Sequence, residues 1–394
     1  MVLRTLLRAL GDPPVRFVLW NGEEVAISRE RPVARLLLRD ARAVLHLAAN
    51  PERHFGDLYA AGRIEVQGDM AEFLATVYRR ARDHRPRGIV EHLVRYSHRR
   101  RQRNTVARSS NNVHHHYDIG NDFYRLWLDE QMAYTCAYFP RPETDLESAQ
   151  LAKMDHVCRK LRLRQGETVV EAGCGWGALA RHMARHYGVR VRAYNVSGEQ
   201  VRYARERARA EGFGSEVEFV QADYRAIEGR YDAFVSVGML EHVGPENYGA
   251  LADVIHRCLK ESGRGLIHTI GRTRAMPMNA WIERRIFPGA HPPSLAEMMR
   301  VFEPWDFSVL DVENLRPHYA RTLELWLARF ETHAEAIERM FDARFTRAWR
   351  LYFAGSIAAF RTAEIHLFQV LFAPRGNNDV PWTRAYLYTG DGNA

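Results

Sequence analysis

A glycine-rich segment is the first part of the chain whose residue types suggest chemistry. It lies where a short apolar strand, Thr168 to Glu171, gives way to a helix over Ala178 to His186, and it reads Glu171-Ala172-Gly173-Cys174-Gly175-Trp176-Gly177. Glycines permit a tight turn and let backbone amides approach a ligand closely. The segment therefore predicts a nucleotide-type binding loop, and the alternative is a glycine-rich turn that binds nothing.

The position of acidic residues favours S-adenosylmethionine over a dinucleotide as the ligand of this loop. Gly173, Gly175 and Ala178 also satisfy the loose G-x-G-x-x-G/A dinucleotide pattern. An NAD site, however, needs an acid about 20 residues beyond the glycines to hold the ribose, and this chain has Tyr194-Asn195-Val196 there. Glu171 instead resembles the acid of the E/D-x-G-x-G-x-G loop in Rossmann-like methyltransferases. A hydride-transfer enzyme is the least favoured alternative.

Polar residues after the next two strands are candidates for holding the cofactor. Asp223 could accept a hydrogen bond from the adenine amino group, and Tyr224 could pack on the base. A cap of the following turn is the alternative for Asp223. Asn195, Ser197 and Gln200 are candidates for hydrogen bonds to the ribose and methionine ends of the cofactor, and Ser197 is equally suited to capping the next helix.

The composition restricts the class of protein. A chain of 394 residues is long enough for two domains. No run of about 18 apolar residues is free of charges, and the arginine-interrupted start does not resemble a secretion signal, so we expect a cytoplasmic protein. The four cysteines form no C-x-x-C pair and indicate neither a disulfide framework nor a zinc site. The run His114-His115-His116 is not expected to bind a metal, because adjacent side chains point in different directions.

Much of the net charge of +8 lies in one stretch of the chain. Its arginines are Arg79, Arg80, Arg82, Arg85, Arg87, Arg95, Arg99, Arg100, Arg101, Arg103 and Arg108. A basic band of this kind attracts polyanions, either nucleic acid or an anionic membrane surface. A solvated linker is an equally reasonable interpretation, and composition alone does not choose between them.

The order of the elements divides the chain into a small amino-terminal domain (1–80), a basic connector (81–108) and a catalytic domain (109–394). In the first domain, Asn21-Gly22 predicts a hairpin between two short strands. From about residue 145, strands alternate with helices, which predicts a mostly parallel sheet covered on both faces. The segment from 272 to about 320 is expected to be irregular, and the final strand runs from Ile365 to Phe372.

Six blocks, in order, resemble the cyclopropane-fatty-acyl-phospholipid synthases. They are His116 to Tyr124, Met132 to Tyr138, Leu146 to Gln150, Gly173 to Gly177, Val237 to Gly244 and His268 to Gly271. The likeness runs from about residue 105 to 375, and the amino-terminal part resembles the smaller, lipid-binding-like domain of full-length bacterial members. The resemblance implies an α/β, Rossmann-like class I methyltransferase fold with a mostly parallel seven-stranded sheet, plus a small α+β amino-terminal domain.

The resemblance also implies an activity. Family members transfer the methyl group of S-adenosylmethionine to the cis double bond of an unsaturated fatty acyl chain in a phospholipid. A bound bicarbonate ion then removes a proton, and a cyclopropane ring closes. The implied bicarbonate ligands are Cys136, Glu241, His268, the backbone at Ile270 and, on weaker local similarity, Tyr319. Tyr134 and Thr135 join the implied cofactor-binding residues. The resemblance further implies a homodimer that associates peripherally with the anionic inner face of the membrane.

Several alternatives remain beside this interpretation. Glu241 and His268 could form a buried ion pair, and Cys136 could be an inert small hydrophobe. Within the family, methylation without ring closure would give a methyl-branched, methylene or furan-type fatty acid. A pI near 9.4 suggests a nucleic-acid base methyltransferase, but no N-P-P-Y-like motif is present and we expect no nucleic-acid partner. A catalytically silent lipid-binding protein is disfavoured because Cys136, Glu241 and His268 are all intact.

Overall fold

The computed structural model describes residues 2–83 and 119–388, which form two compact units. The first unit contains the described part of 1–101 together with 276–288 and 319–365, and the second contains the rest. Most of the basic connector, the run His114 to His116 and the start of the first family block lie outside the described residues. The division made from the sequence had assigned 276–288 and 319–365 to the catalytic domain.

The amino-terminal part of the first unit is a four-stranded sheet with helices. Its elements are α1 (Val2–Ala9), β1 (Val15–Val18), β2 (Glu24–Val25), β3 (Ala34–Leu38), α2 (Ala41–Ala49), α3 (Pro51–Ala60), β4 (Ile64–Gln67) and α4 (Met70–Asp83). The strand order is β2-β1-β3-β4, with β1 parallel to β3 and the other neighbours antiparallel. The predicted hairpin is present, with Gly22 in the left-handed region at φ +85°.

Two segments from much later in the chain complete this unit. Helix α11 (Ala280–Arg285) lies on α3, where the Asp57 carboxylate accepts hydrogen bonds from Trp281 Nε1 at 3.2 Å and Arg285 Nε at 3.0 Å. Helices α13 (Arg316–Thr332), α14 (Ala334–Met340) and α15 (Ala343–Arg361) follow, and α15 packs against α3 and α4. Arg347 Nε donates to the Tyr59 carbonyl at 2.7 Å. The first unit is therefore held together by contacts between residues far apart in sequence.

The second unit is built on a seven-stranded sheet, as predicted. Its strands are β5 (Thr168–Ala172), β6 (Arg190–Asn195), β7 (Val217–Gln221), β8 (Tyr231–Val237), β9 (Leu259–Gly271), β10 (Ser308–Asn314) and β11 (His366–Ala373). Its helices are α5 (Asn121–Arg125), α6 (Leu146–Lys160), α7 (Ala178–Tyr187), α8 (Gly198–Ala210), α9 (Leu240–Val243), α10 (Tyr248–Cys258) and α12 (Leu295–Phe302). The order is β10-β11-β9-β8-β5-β6-β7. Strands β5 to β9 are mutually parallel, and β11 is antiparallel to β9 and β10.

Apolar side chains cover both faces of this sheet. Val169 and Val170 are neighbours on β5, yet one belongs to the cluster under α7 and α8 and the other to the cluster under α10 and α12. Alternate side chains of a strand point to opposite faces, so each parallel strand contributes to both clusters. The expectation of a parallel sheet covered on both faces is thus confirmed.

One prediction about this unit was wrong. The segment from 272 to about 320 contains α12 and the edge strand β10, whose only strand partner in the described part of the chain is β11. Four of the seven side chains of β10 are polar or charged, and its two valines, Val309 and Val312, are exposed. An edge strand with this composition lacks the apolar run that marks a buried strand.

Within the described residues, no helix is both long enough and apolar enough to cross a membrane.

Close packing between β9 and β11 generates a testable prediction. A Cβ atom on Gly265 would lie 2.1 Å from Cζ of Phe372, its wholly buried cross-strand partner. We expect Gly265→Ala to lower the free energy of unfolding by about 1–3 kcal/mol through overpacking, measured by urea denaturation followed by circular dichroism. The matched control is Gly249→Ala in α10, where a Cβ meets nothing within 4 Å. This variant should raise the free energy of unfolding by up to ~1 kcal/mol. Equal stability of the two variants would contradict this packing.

Candidate active site

The glycine loop folds back onto the end of β6. The amides of Gly173 and Cys174 both donate to the Tyr194 carbonyl, at 2.9 and 3.0 Å. Gly173 and Gly175 have φ values of +85° and +53°, in the left-handed region where glycine is favoured. A Cβ on Gly175 would meet no atom within 4 Å. The loop therefore leaves open space in front of its backbone, as a ligand cradle requires.

A cavity lies in front of this loop, and we call it the cofactor cavity. Its lining includes nine of the ten residues predicted to bind the cofactor, which are Tyr134, Thr135, Glu171, Gly173, Gly175, Asn195, Gln200, Asp223 and Tyr224. Its other lining residues include Lys153, Trp176, Met239 and His242. Because parallel strands end at one edge of a sheet, the segments after β5, β6, β7 and β8 all reach this cavity.

Asn195 and Ser197 hold the walls of the cavity in place. The Asn195 side-chain nitrogen, Nδ2, donates to the Gly175 carbonyl at 3.1 Å and to Gln200 Oε1 at 2.7 Å. Ser197 is wholly buried, and its hydroxyl caps α8 by accepting from the Gln200 amide at 3.3 Å. Among the ten predicted cofactor residues, Ser197 is the one that does not line the cavity. Its observed contact is the helix cap, which the sequence analysis gave as the alternative role.

Asp223 and Tyr224 line the cavity directly after β7. The Asp223 carboxylate accepts from the Arg225 amide at 2.9 Å and so caps the turn Tyr224–Ala226. It lines the cavity as well, so its position is compatible both with the cap and with an adenine-binding residue. The Tyr224 ring is 7% exposed, and burial raises the pKa of its phenol to about 12, which keeps the hydroxyl protonated.

The sequence interpretation missed a buried lysine in this cavity. Lys153 on α6 is 3% exposed and donates to the Thr135 hydroxyl at 2.8 Å. One turn earlier, Gln150 donates to the Thr135 carbonyl at 2.8 Å, so one face of α6 positions the Tyr134–Thr135 segment. The available signal was the spacing of three residues between Gln150 and Lys153, which places both on one helix face. Burial lowers the pKa of Lys153.

Glu171 adds a buried carboxyl group beside the glycine loop. It is 2% exposed, and its Oε2 has no hydrogen-bond partner among the described residues. Burial raises the pKa of Glu171 to about 7, and the charges of Lys153 and Arg181 oppose that shift. A buried carboxylate without a donor is unfavourable, so this group is suited to a cationic part of a ligand.

A second group of polar atoms lies where β8 and β9 run side by side. Val237, the last residue of β8, is paired with His268 of β9. Glu241 follows on the short helix α9, and its Oε1 accepts a hydrogen bond from the Ile270 amide at 2.6 Å. Glu241 and His268 form no ion pair with each other within the described residues. The structure thus brings the Glu241 carboxylate to the backbone of Ile270, two residues after His268 on β9.

Two atoms of this group are buried and have no protein partner among the described residues. They are Glu241 Oε2 and His268 Nε2, on side chains that are 5% and 1% exposed. Burial raises the pKa of Glu241 to about 7, against the hydrogen bond from the Ile270 amide. Burial also holds the pKa of His268 well below its ordinary value, so this imidazole is neutral. Unsatisfied buried polar atoms of this kind need a ligand or water.

The other two predicted base-site residues belong to different units. Cys136 is wholly buried in the second unit, with Sγ 3.1 Å from the Ala137 carbonyl that accepts its hydrogen bond. Tyr319 belongs to the first unit, where its ring packs on Trp326 and Phe360. The role of Tyr319 at the base site therefore stays a prediction.

Family models match two parts of the chain. The model described as mycolic acid cyclopropane synthetase matches residues 104–370, which is more than half of the chain. A domain of unknown function (DUF7884) matches residues 2–85. The family match includes all the candidate cofactor and base-site residues described above.

Curated relatives and solved structures agree with this family. A probable fatty acid methyltransferase of Pseudomonas putida is 35% identical over 95% of this chain and 96% of its own length. The cyclopropane-fatty-acyl-phospholipid synthase of Escherichia coli K12 is 40% identical over 66% of each chain. The mycolic acid cyclopropane synthase CmaA1, solved with SAH and CTAB, superposes with a TM-score of 0.64 and 31% identity over 67% of this chain and 97% of its own. The chain therefore belongs to the cyclopropane synthase family of S-adenosylmethionine-dependent methyltransferases.

Proposed function

We propose that this protein methylates the cis double bond of an unsaturated fatty acyl chain in a phospholipid and closes a cyclopropane ring there. The observation that carries the proposal is that two buried atoms, Glu241 Oε2 after β8 and His268 Nε2 in β9, have no hydrogen-bond partner among the described residues. A methyltransferase acting on a heteroatom needs no such anion site. The name of the Escherichia coli relative supports the same reaction.

The cofactor cavity fits S-adenosylmethionine, which supplies the methyl group when bound. The open cradle at Gly175 admits a ligand close to the backbone. Glu171 offers a buried carboxyl group to the ammonium of the methionine moiety. Asp223 and Tyr224 also line the cavity and are assigned to the adenine, and Gln200 is assigned to the ribose and methionine ends. The chain thus provides an acid for each cationic or donor end of the ligand.

Glu241 Oε2 and His268 Nε2 are suited to binding a small anion that serves as the base. We propose that this anion is bicarbonate. His268 Nε2 can donate one hydrogen bond, and Glu241 Oε2 can accept one from an O–H group. Hydrogen carbonate carries both acceptor oxygens and one O–H, so it complements this pair. Cys136, the Ile270 backbone and Tyr319 are the further ligands that the family resemblance assigns. A base held by two oriented hydrogen bonds is preorganised for proton transfer.

The electrons of the proposed reaction balance without an oxidant or a reductant. The two π electrons of the alkene form the bond to the transferred methyl carbon, and the pair of the broken carbon–sulfur bond stays on sulfur. The other alkene carbon is then a cation. When the base accepts one proton from the new methyl group, the released C–H pair forms the second ring bond. Glu241 and His268 act by holding that base in place.

The acyl substrate places this protein at a lipid surface. The relative CmaA1 was solved with CTAB, a compound with one long alkyl chain, which supports a site for such a chain in the family. We propose that the protein works as a homodimer on the anionic inner face of the membrane. The basic stretch between Arg79 and Arg108 supplies positive charge for that surface.

Methylation without ring closure is the second candidate function. The relatives that match almost the full length of the chain are named a probable fatty acid methyltransferase and a tuberculostearic acid methyltransferase. Both reactions begin with the same carbocation, and they differ in which proton leaves. The geometry of the base therefore decides the product.

The products can be measured directly. We expect purified protein with S-adenosylmethionine, bicarbonate and vesicles of cis-unsaturated phospholipid to give fatty acids heavier by one carbon and two hydrogens. Proton NMR should show cyclopropyl protons and no alkene. The same mass with a retained or displaced alkene would favour methylation without ring closure. No methyl transfer, although S-adenosylmethionine binds in calorimetry, would refute the lipid substrate.

Glu241→Gln tests the base site. The amide can no longer orient the anion as a carboxylate does, so we expect turnover to fall by about 10- to 100-fold. The dissociation constant for S-adenosylmethionine should change less than twofold, because Glu241 is not among the residues that line the cofactor cavity. Initial rates with radiolabelled methyl donor and calorimetry give the two values. Unchanged turnover would remove Glu241 from the mechanism.

The same substitution should change how stability depends on pH. Since burial raises the pKa of folded Glu241 to about 7 from its ordinary 4.5, the stability it contributes is fully present below about pH 4.5 and is lost as pH rises through 7. The glutamine of Glu241→Gln cannot ionise. Between pH 5 and pH 8, the free energy of unfolding of this variant should therefore rise relative to that of wild type by on the order of 3 kcal/mol.

Glu297→Gln is the matched control for this pH dependence. Against the effect of burial, the nearby His291 ring and two hydrogen bonds from Ser294 hold the pKa of Glu297 at about 2, so the sign reverses. This variant should be less stable than wild type above about pH 4.5, and the difference should disappear as the pH falls towards 2. Urea denaturation at five pH values measures both variants. If the two difference curves had the same sign, burial would not control the Glu241 carboxyl.

A further inference from the structure

Gln369 holds the ring of His268 across two neighbouring strands. The two residues face each other in the antiparallel pair of β9 and β11. The Gln369 side-chain nitrogen lies 3.1 Å from His268 Nδ1. Gln369 is wholly buried and His268 is 1% exposed, so water does not compete for this contact. Neither the glycine loop nor the family blocks pointed to Gln369.

The contact decides which ring nitrogen carries the proton. Burial keeps His268 neutral, and a neutral imidazole has one N–H and one lone pair. With the Gln369 side-chain nitrogen as donor, Nδ1 accepts with its lone pair, which leaves the single ring proton for Nε2. His268 Nε2 has no partner among the described residues. A buried N–H without an acceptor is unfavourable by about 1–3 kcal/mol, so a bound acceptor is needed there.

We propose that Gln369 is a positioning residue that fixes the Nε2–H tautomer of His268 and so presents a hydrogen-bond donor to the anionic base. The inference rests on the bicarbonate site of the proposed function. With the other tautomer, Nε2 would present a lone pair to an anion and repel it. Glu241 Oε2, the other unpartnered atom, then accepts from the O–H of the same anion.

A residue that only fills the core would behave differently from a positioning residue. Methionine has nearly the length and volume of glutamine and fits buried sites well. Gln369→Met therefore keeps the packing between β9 and β11 and removes the amide, that is, the Nε2 donor together with Oε1, which has no partner among the described residues. If Gln369 served packing alone, this change would leave the tautomer of His268 and the response to bicarbonate as they are in wild type.

The test combines NMR with kinetics on the full chain. Protein labelled with ¹⁵N-histidine gives the tautomer from two-bond proton–nitrogen correlations, and the His268 signal is the one lost in His268→Asn. We expect Nε2–H in wild type and a mixture with Nδ1–H in Gln369→Met. The KM for bicarbonate should rise about tenfold, while the dissociation constant for S-adenosylmethionine stays within twofold. Gln165→Met, at an exposed glutamine, is the control and should match wild type.

The outcomes separate this inference from the function on which it rests. Nδ1–H in wild-type His268 would overturn the inference, whether or not Gln369→Met folds. An unchanged tautomer together with an unchanged KM for bicarbonate in Gln369→Met would overturn it too. If wild type shows Nε2–H, Gln369→Met loses it and turnover does not depend on bicarbonate, the tautomer assignment is supported and bicarbonate as the base is refuted.

Discussion

The parallel pairing of β5 to β9 is the constraint that positions the candidate site. Parallel neighbours end at the same edge of a sheet, so the glycine loop, Asn195, Asp223 and Glu241 meet although they are spread over 70 positions of the chain. Side chains of the strands themselves are used for the two apolar clusters. The polar residues of the site lie at or just beyond the carboxyl ends of these strands: Glu171 and Asn195 are near or at the ends of β5 and β6, whereas Asp223 and Glu241 follow β7 and β8.

The site concentrates buried groups that the fold alone would not favour. Lys153, Glu171, Glu241 and His268 are each at most 5% exposed, and burial opposes the charged form of each. Such groups lower the stability of the free protein in exchange for complementarity to charged ligands. Lys153 on α6 donates a hydrogen bond to Thr135, and Gln369 on β11 contacts His268 Nδ1. Polar contacts from outside the loop thus complete the site.

The sequence was informative where local order carries the signal. The glycine loop and the parallel sheet follow from strand–helix alternation and short motifs, whereas Glu241 and Ile270 were assigned through the family resemblance. It was uninformative where the signal is a contact between distant residues. Gln369 and His268 are 101 positions apart, and no pattern around residue 369 indicates their pairing. Strand β10 was missed because an exposed edge needs few apolar residues. Tyr319 remains a prediction based on resemblance.

The contact between Arg347 and the Tyr59 carbonyl has a consequence for biosynthesis. These residues are 288 positions apart, and ribosomes add roughly 5–20 residues per second. The amino-terminal helices therefore wait on the order of 15–60 s for α15 to emerge and cover them. During that interval their apolar side chains are exposed on a nascent chain, where chaperones bind. A message truncated before α15 would encode an amino-terminal region that never receives its cover, so degradation rather than a stable fragment is the expected fate.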